Sequence, residues 1–256
     1  MTSDRTFAPR LRLEGQTAVV TGGTGAIGAA TAHRLAGLGA RIVLMQRREP
    51  EAASGLLASL SGEGHLALQV DVSSSAELRA AAQAVQHATG GATILVNCAG
   101  FTRPVAAADL EGLDDALIDE MFAVNWRGTF AAIRAFTPQL ADSGDGLIVN
   151  VSSIAAFTGL GSNLAYAAAK AGIEALTRGL AKTLAPSVRC LAVSPGVVDT
   201  PFVAGRDAAF NERVGATIPL RRVGVADDVA AAITACCTLL RYATGSVIVA
   251  DGGRHL

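Results

Sequence analysis

The chain is 256 residues long, with 50% hydrophobic residues, 17% charged residues and a formal net charge of −1. That length and apolar content suit a compact protein with a substantial buried core. A near-neutral balance without any long Lys/Arg run argues against a nucleic-acid partner, and the longest apolar stretch, Val229 to Leu240, is too short and too rich in Ala and Thr to span a bilayer.

In chain order, short β-branched runs alternate with longer Ala/Leu-rich segments. Strands are predicted at Thr17–Val20, Arg41–Met45, Leu66–Val70, Thr93–Val96, Leu147–Val151, Arg189–Val193 and Val247–Val249. Helical patterns lie between them, at Ala26–Leu38, Ala76–His87, Leu117–Leu140, Leu164–Leu184 and Ala226–Leu240. Continuously apolar strands interleaved with helices predict a parallel sheet buried on both faces. The expected architecture is a doubly wound α/β sandwich of about seven strands, whose ligand crevice lies at the strands' carboxyl ends. No linker, repeat or low-complexity tract divides residues 1–256, which are read as one domain. Residues 200–225 break the alternation, and a long loop at a strand end is the expected substrate lid.

Directly after the first strand, TGGTGAIG at 21–28 places Gly22, Gly23, Gly25 and Gly28 at the start of a helix. Glycines there allow a tight turn and let backbone N–H groups approach a pyrophosphate at the helix N-terminus. Thr24, Ala26 and Ile27 complete the candidate phosphate cradle. The second strand ends in VLMQRR, where an acidic residue would bind the ribose hydroxyls of NAD and an arginine would accept the 2′-phosphate of NADP. Arg47 and Arg48 stand there without a carboxylate, so NADP(H) is favoured and NAD(H) is the alternative. The competing reading is a solvated strand end paired with Glu49 or Glu51.

Tyr166 and Lys170 are four residues apart, so on a helix they share one face. An ammonium beside a phenol stabilises the phenolate; lowering its pKa from about 10 by ~3 units takes roughly 4 kcal/mol of differential interaction. Tyr166 would then serve as a general acid or base. Such a pair alone also describes an ordinary packed helix; the glycine turn and the motifs around it give it weight.

The four cysteines (Cys98, Cys190, Cys236, Cys237) show neither disulfide-framework nor metal-ligand spacing, and Cys236 and Cys237 are expected to pack as small hydrophobes. His33, His65, His87 and His255 lack partners at ligand spacing, so no metal is expected. Residues 1–16 are polar and lack the apolar core of a leader, and a reducing, cytoplasmic setting is expected.

With these pieces assembled, the chain resembles the short-chain dehydrogenase/reductases of the single-domain, Rossmann-fold kind. The resemblance rests on TGGTGAIG, Asp71–Val72, NCAG at 97–100, Asn125, the Ser153…Tyr166…Lys170 spacing, SPGVVDT at 194–200 and DGG at 251–253. It implies that Tyr166 exchanges a proton with the substrate oxygen, Lys170 tunes Tyr166 and binds the nicotinamide ribose, and Ser153 polarises the substrate oxygen. Asn125 would kink its helix and hold a water linking Lys170 to solvent. Asp71 and Val72 would face adenine; Asn97, Ala99 and Gly100 would line the adenosine and ribose path; Pro195, Gly196, Val198 and Thr200 would hold the nicotinamide. It further implies a homodimer or homotetramer built on the helices Leu117–Leu140 and Leu164–Leu184.

The chain departs from the family pattern at Ala26, Cys98 and Leu191, where Gly, Asn and Asn are usual, and Gly25 stands where NADP-preferring relatives often carry a basic residue. Phe101, Phe157, Leu160 and Phe202 follow cofactor-contacting strand ends and either line a substrate pocket or fill core space. Arg103, Arg127 and Arg134 are read as solvated or interfacial. The expected activity is interconversion of a secondary alcohol and a ketone. A 3-oxoacyl reductase is one alternative, set against Ala131 and Ser187 where basic carrier-docking positions are expected. A catalytically silent dinucleotide sensor is the other, set against the intact Ser153, Tyr166, Lys170 and Asn125.

Overall fold

A computed structural model describes residues 9–256; the first eight residues of the polar N-terminal stretch lie outside the described residues. Seven strands form one sheet: β1 (Thr17–Thr21), β2 (Arg41–Gln46), β3 (Leu66–Gln69), β4 (Ile94–Asn97), β5 (Gly146–Val151), β6 (Val188–Pro195) and β7 (Val247–Ala250). Their order is β3-β2-β1-β4-β5-β6-β7, and every pairing is parallel.

Alternation within the strands explains why they read as unbroken apolar runs. Val19, Val43, Leu95 and Ile148 are register partners on one face; Val20, Leu44, Val96 and Val149 are register partners on the other. The first face packs under α3 (Ser75–Thr89) and α5 (Thr129–Asp142) through Leu78, Val85, Phe136 and Leu140. The second packs under α1 (Ala26–Gly37) and α9 (Ala226–Thr238) through Leu35, Val229, Ile233, Cys236 and Cys237. Both cysteines are buried as small hydrophobes. Full burial of each such aliphatic side chain contributes roughly 1.5–3 kcal/mol, so two-sided coverage is what holds the sheet together.

Two helical stretches differ from the sequence pattern. The segment predicted as one helix over Leu117–Leu140 is continuous, but α4 (Asp115–Phe122) passes into α5 through a π-helical turn at Ala123–Gly128. Short elements without enough length to show a period were not anticipated: α2 (Ser54–Ser59), α6 (Ala155–Thr158) and α8 (Ala208–Gly215), the last inside the expected lid. The long α7 (Leu164–Leu184) matches its predicted bounds, because Asn163 caps it by accepting from the Tyr166 N–H at 2.7 Å.

Strand order reverses between β1 and β4, and the loops leaving these two strands part there. A doubly wound sheet opens its ligand crevice at that switch point, and the cavity of this chain lies there.

Candidate active site

The cradle begins where β1 ends. Gly22 has φ +62°, and a Cβ on it would stand 2.9 Å from the Ala99 Cα of the neighbouring strand end. At Gly28 a Cβ would stand 2.4 Å from the Gly22 carbonyl oxygen. Both positions therefore exclude any side chain, and the loop lies flat against the start of α1. The first turn of α1 carries no acidic residue, which leaves its N-terminal N–H groups and dipole free for an anion. A dinucleotide pyrophosphate fits this donor set. Gly22, Gly25, Ala26, Ile27 and Gly28 line a cavity of about 800 Å³, while Thr24 faces solvent at the tip of the turn. Ala26 is exposed, so its methyl meets open space rather than packed atoms.

Beyond the cradle, Arg47 and Arg48 are exposed at the end of β2, and neither forms an ion pair among the described residues. The pairing with Glu49 or Glu51 is thus not made. Asp71 accepts from the Ser73 hydroxyl at 2.7 Å and the Ser73 N–H at 2.8 Å. The Ser73 hydroxyl above all, aided by Arg47 and Arg127, holds its carboxyl below the usual range despite partial burial. The Val72 carbonyl packs against Gly128, where a Cβ would stand 3.0 Å from it. Asn97 is buried and donates its amide to Asn150 at 2.9 Å, so its side chain ties β4 to β5 rather than facing the cleft. Ala99 and Gly100 do line the cavity.

At the centre of the cavity wall the sequence-distant hydroxyls meet. Ser153 follows β5 and accepts from the Ala155 N–H at 3.2 Å, which leaves its proton to donate to the Tyr166 oxygen. Tyr166 comes from the first turn of α7, fixed by the Asn163 cap. Lys170 sits one turn on, buried, and donates to the Val151 carbonyl at 2.7 Å. Its Nζ stands 5.7 Å from the Tyr166 ring centroid. Ser153, Tyr166 and Lys170 all line the cavity.

The electrostatics differ from the sequence expectation. Burial pushes the Tyr166 phenol up to about 12, outweighing the Ser153 hydrogen bond and the field of Arg206. The Lys170 ammonium donates to the Val151 carbonyl and stands over the Tyr166 ring, 5.7 Å from its centroid. Burial also lowers Lys170 to about 8, with the Cys98 thiol opposing. The phenol is therefore a proton donor at neutral pH.

Asn125 lies inside the π turn, fully buried. Its Oδ1 accepts from the Phe101 N–H at 3.2 Å, and its Nδ2 donates to the carbonyls of Phe101 and Met121, both at 3.0 Å. A Cβ on Gly100 would stand 2.6 Å from Asn125 Oδ1 and 4.0 Å from Lys170 Nζ. Asn125 thus ties a widened helical turn to the loop after β4, beside Lys170.

The opposite wall is the SPG loop. Pro195, Gly196, Val198 and Thr200 line the cavity. Gly196 is pinned beneath Asp251 of the DGG segment, whose Cβ would be 2.7 Å from a Cβ at 196. Of the proposed substrate phenylalanines, Phe202 lines the cavity and its ring lies 6.1 Å from that of Tyr166. Phe101 instead packs behind Tyr166 with Leu117, Met121 and Ala165, and Phe157 turns out on α6 to meet His255 edge-on at 5.5 Å. Leu160 lines the cavity mouth. Arg103 pairs with Asp114, Arg127 bonds the Ser73 carbonyl and Arg134 bonds Ser75, all away from the cleft. Sequence reasoning missed Arg206 and Arg254, both cavity-lining; a lone arginine in a loop and another after DGG carry no periodic or motif signal.

A glycine cradle at the switch point, joined by one cavity to a half-buried Ser–Tyr pair, defines a class: α/β oxidoreductases acting on a carbonyl or alcohol with a nicotinamide dinucleotide. Comparison with known proteins agrees. Residues 22–255 match the family described as Enoyl-(Acyl carrier protein) reductase. The chain is 39% identical, over 95% of its length and 97% of the relative's, to a Streptomyces violaceoruber protein named as ketoacyl reductase 2 of the granaticin polyketide synthase. It is 35% identical to D-threitol dehydrogenase of Mycolicibacterium smegmatis, covering 94% of each chain. A solved short-chain dehydrogenase/reductase from Brucella melitensis superposes with a TM-score of 0.89 at 28% identity, covering 96% of this chain and 99% of that one. The chain belongs to the short-chain dehydrogenase/reductase family.

Proposed function

We propose that the protein is an NADP(H)-dependent reductase that converts a ketone to a secondary alcohol and, in reverse, oxidises that alcohol. One observation carries the reading: Ser153, Tyr166 and Lys170 stand together on the wall of the same cavity that the glycine turn opens into. The nicotinamide dinucleotide supplies the hydride when bound. The chain's own residues manage the oxygen. Ser153 donates to the substrate carbonyl oxygen and polarises it. Tyr166, neutral because its phenol is pushed up to about 12, gives its proton to that oxygen as the carbon accepts the hydride. Lys170, with Asn125 behind it, orients Tyr166 and presents an ammonium to the nicotinamide ribose.

The dinucleotide would be held by Gly22, Gly25, Ala26, Ile27 and Gly28 at its pyrophosphate and by Asp71 and Val72 at its adenine. Pro195, Gly196, Val198 and Thr200 would hold the nicotinamide. The preference for NADP(H) rests on Arg47 and Arg48, exposed and without ion pairs among the described residues. Residues 200–225, carrying α8, act as the substrate lid over one domain. The α4–α5 and α7 faces are the expected contacts of a homodimer or homotetramer in the cytoplasm.

A 3-oxoacyl substrate is the second reading. The names of relatives support it, among them the granaticin ketoacyl reductase and the 3-oxoacyl-[acyl-carrier-protein] reductase of Aquifex aeolicus, 32% identical over 95% of this chain. Buried Ala131 and neutral Ser187, where carrier-docking cations are expected, speak against it. The test is NADPH consumption across simple ketones, sugars and 3-oxoacyl thioesters, with Tyr166→Phe as control. Turnover of ketones lost in Tyr166→Phe supports the proposal; full turnover in that variant overturns it.

A further inference from the structure

The lid end of the cavity carries two cations that the hydride-transfer chemistry does not use. Arg206 precedes α8 and Arg254 follows DGG, yet both line the same cavity as Ser153 and Tyr166. Arg206 is half-buried, and among the described residues its guanidinium makes no hydrogen bond or ion pair. Its contact is the Phe210 ring, 5.1 Å away. Arg254 reaches only the Thr217 hydroxyl, at a long 3.5 Å, and Thr217 lines the cavity too.

The neighbouring carboxylates are engaged elsewhere. Asp251 accepts from the Gly253 and His255 N–H groups and pairs with the His255 ring at 2.8 Å. Asp207 caps α8 through the Phe210 N–H at 2.8 Å, and Asp199 accepts from Asn211 at 2.7 Å. Burial lowers the basicity of Arg206, and Arg254 presses the same way; Tyr166 alone opposes them, and no carboxylate contributes. Arg206, half-buried beside the exposed Arg254 and with no carboxylate facing it, is favoured by any ligand that supplies the missing charge.

We propose that Arg206 and Arg254 form an oxyanion-binding subsite, so that the substrate is a ketone bearing a carboxylate or phosphate at the end remote from its carbonyl. The inference rests on the reductase reading for the identity of the reacting end. Guanidinium forks match both carboxylate and phosphate, so the geometry selects the shared oxyanion chemistry. The aromatic flank of Phe202 and the aliphatic Val203 and Leu160 would hold the chain between the two ends.

The test separates binding from turnover. Isothermal calorimetry with glutarate, propyl phosphate and dimethyl glutarate on the native protein and on an Arg206→Gln/Arg254→Gln variant reads the subsite without catalysis. A matched series of linear oxo acids and their methyl esters reads it in kcat/KM. We expect one of the two anions to bind the native protein at least about tenfold tighter than the diester, with that margin lost in the variant; whichever binds identifies the oxyanion. The acid-to-ester ratio should fall likewise. Thermal melting and NADPH titration show that the variant is folded. Equal binding of anions and diester by the native protein, or an anion margin that survives in a folded variant, overturns the subsite. Anion binding without turnover of any ketone would leave the subsite standing and overturn the reductase reading.

Discussion

Lys170 Nζ donates to the carbonyl oxygen of Val151 at 2.7 Å, and this bond fixes its ammonium 5.7 Å from the Tyr166 ring centroid. The last residue of β5 thereby holds a buried charge in the centre of the cleft. Burial lowers this ammonium from 10.5 to about 8. The folded chain releases the proton near pH 8 and the unfolded chain near 10.5, so in that window the unfolded state holds more protons and stability rises with pH. Below it the charge is a burden on the fold. Lys170→Met should be inactive and yet more stable than native at pH 7, by an amount on the order of 2 kcal/mol. The gap should narrow by pH 10. Denaturant melts of both proteins at the two pH values check this, and an unchanged gap would refute it.

Removing the Tyr166 hydroxyl tests proton donation. Tyr166→Phe keeps the ring that packs against Phe202, so the wall of the cavity survives. Turnover should fall by roughly two to four orders of magnitude, the range for a lost general acid, while NADPH affinity by fluorescence titration stays within about twofold. A comparable loss in cofactor affinity would mean that the residue holds the dinucleotide rather than the proton.

The end of β2 tests the choice of dinucleotide. Arg47→Ala should weaken NADPH by roughly tenfold or more, the worth of a charge-assisted contact to phosphate, and leave NADH nearly unchanged. Parallel titrations with both coenzymes suffice. Equal losses would remove the 2′-phosphate assignment.

Two glycines in helices should respond in opposite directions. At Gly28 an added methyl meets the Gly22 carbonyl at 2.4 Å, so Gly28→Ala forces the cradle apart and should abolish dinucleotide binding. At Gly179, inside α7, nothing lies within 4 Å of the added methyl. Gly179→Ala should therefore stabilise the chain by about 0.5–1 kcal/mol, raising Tm by roughly 1–4 °C. Calorimetric melts and NADPH titration of the two variants distinguish these outcomes.

What could be read from the residues follows the physics of each signal. The strands were legible because two-sided burial leaves no exposed position in β1, β4 or β5 and keeps their centres continuously apolar, and α7 because its period runs unbroken from the Asn163 cap. Elements of four to eight residues such as α6 and α8 show no period, and Leu117–Leu140 hid a π turn because widening one turn leaves its apolar residues in place. The site motifs placed Ser153, Tyr166 and Lys170 on one cavity wall. Charge was harder: adjacency on a helix suggests that Lys170 acidifies Tyr166, but where an ammonium points depends on a carbonyl from another strand. Phe101 and Phe157 likewise follow the expected strand ends and then turn away, a matter of loop path that no local pattern records.

The π turn at Ala123–Gly128 also sets a rule for tolerated change. Upstream of it Leu117 and Met121 back the Tyr166 cluster; downstream Phe136 and Leu140 cover the sheet. Because a π turn holds one residue more than an ordinary turn, deleting one residue from it would restore regular winding and keep both faces seated, but would remove the widened turn that holds Asn125 against the Phe101 backbone. A deletion within α4 or α5 themselves has no such slack: it would swing the far half through about 100° and cost one of the two faces its seat.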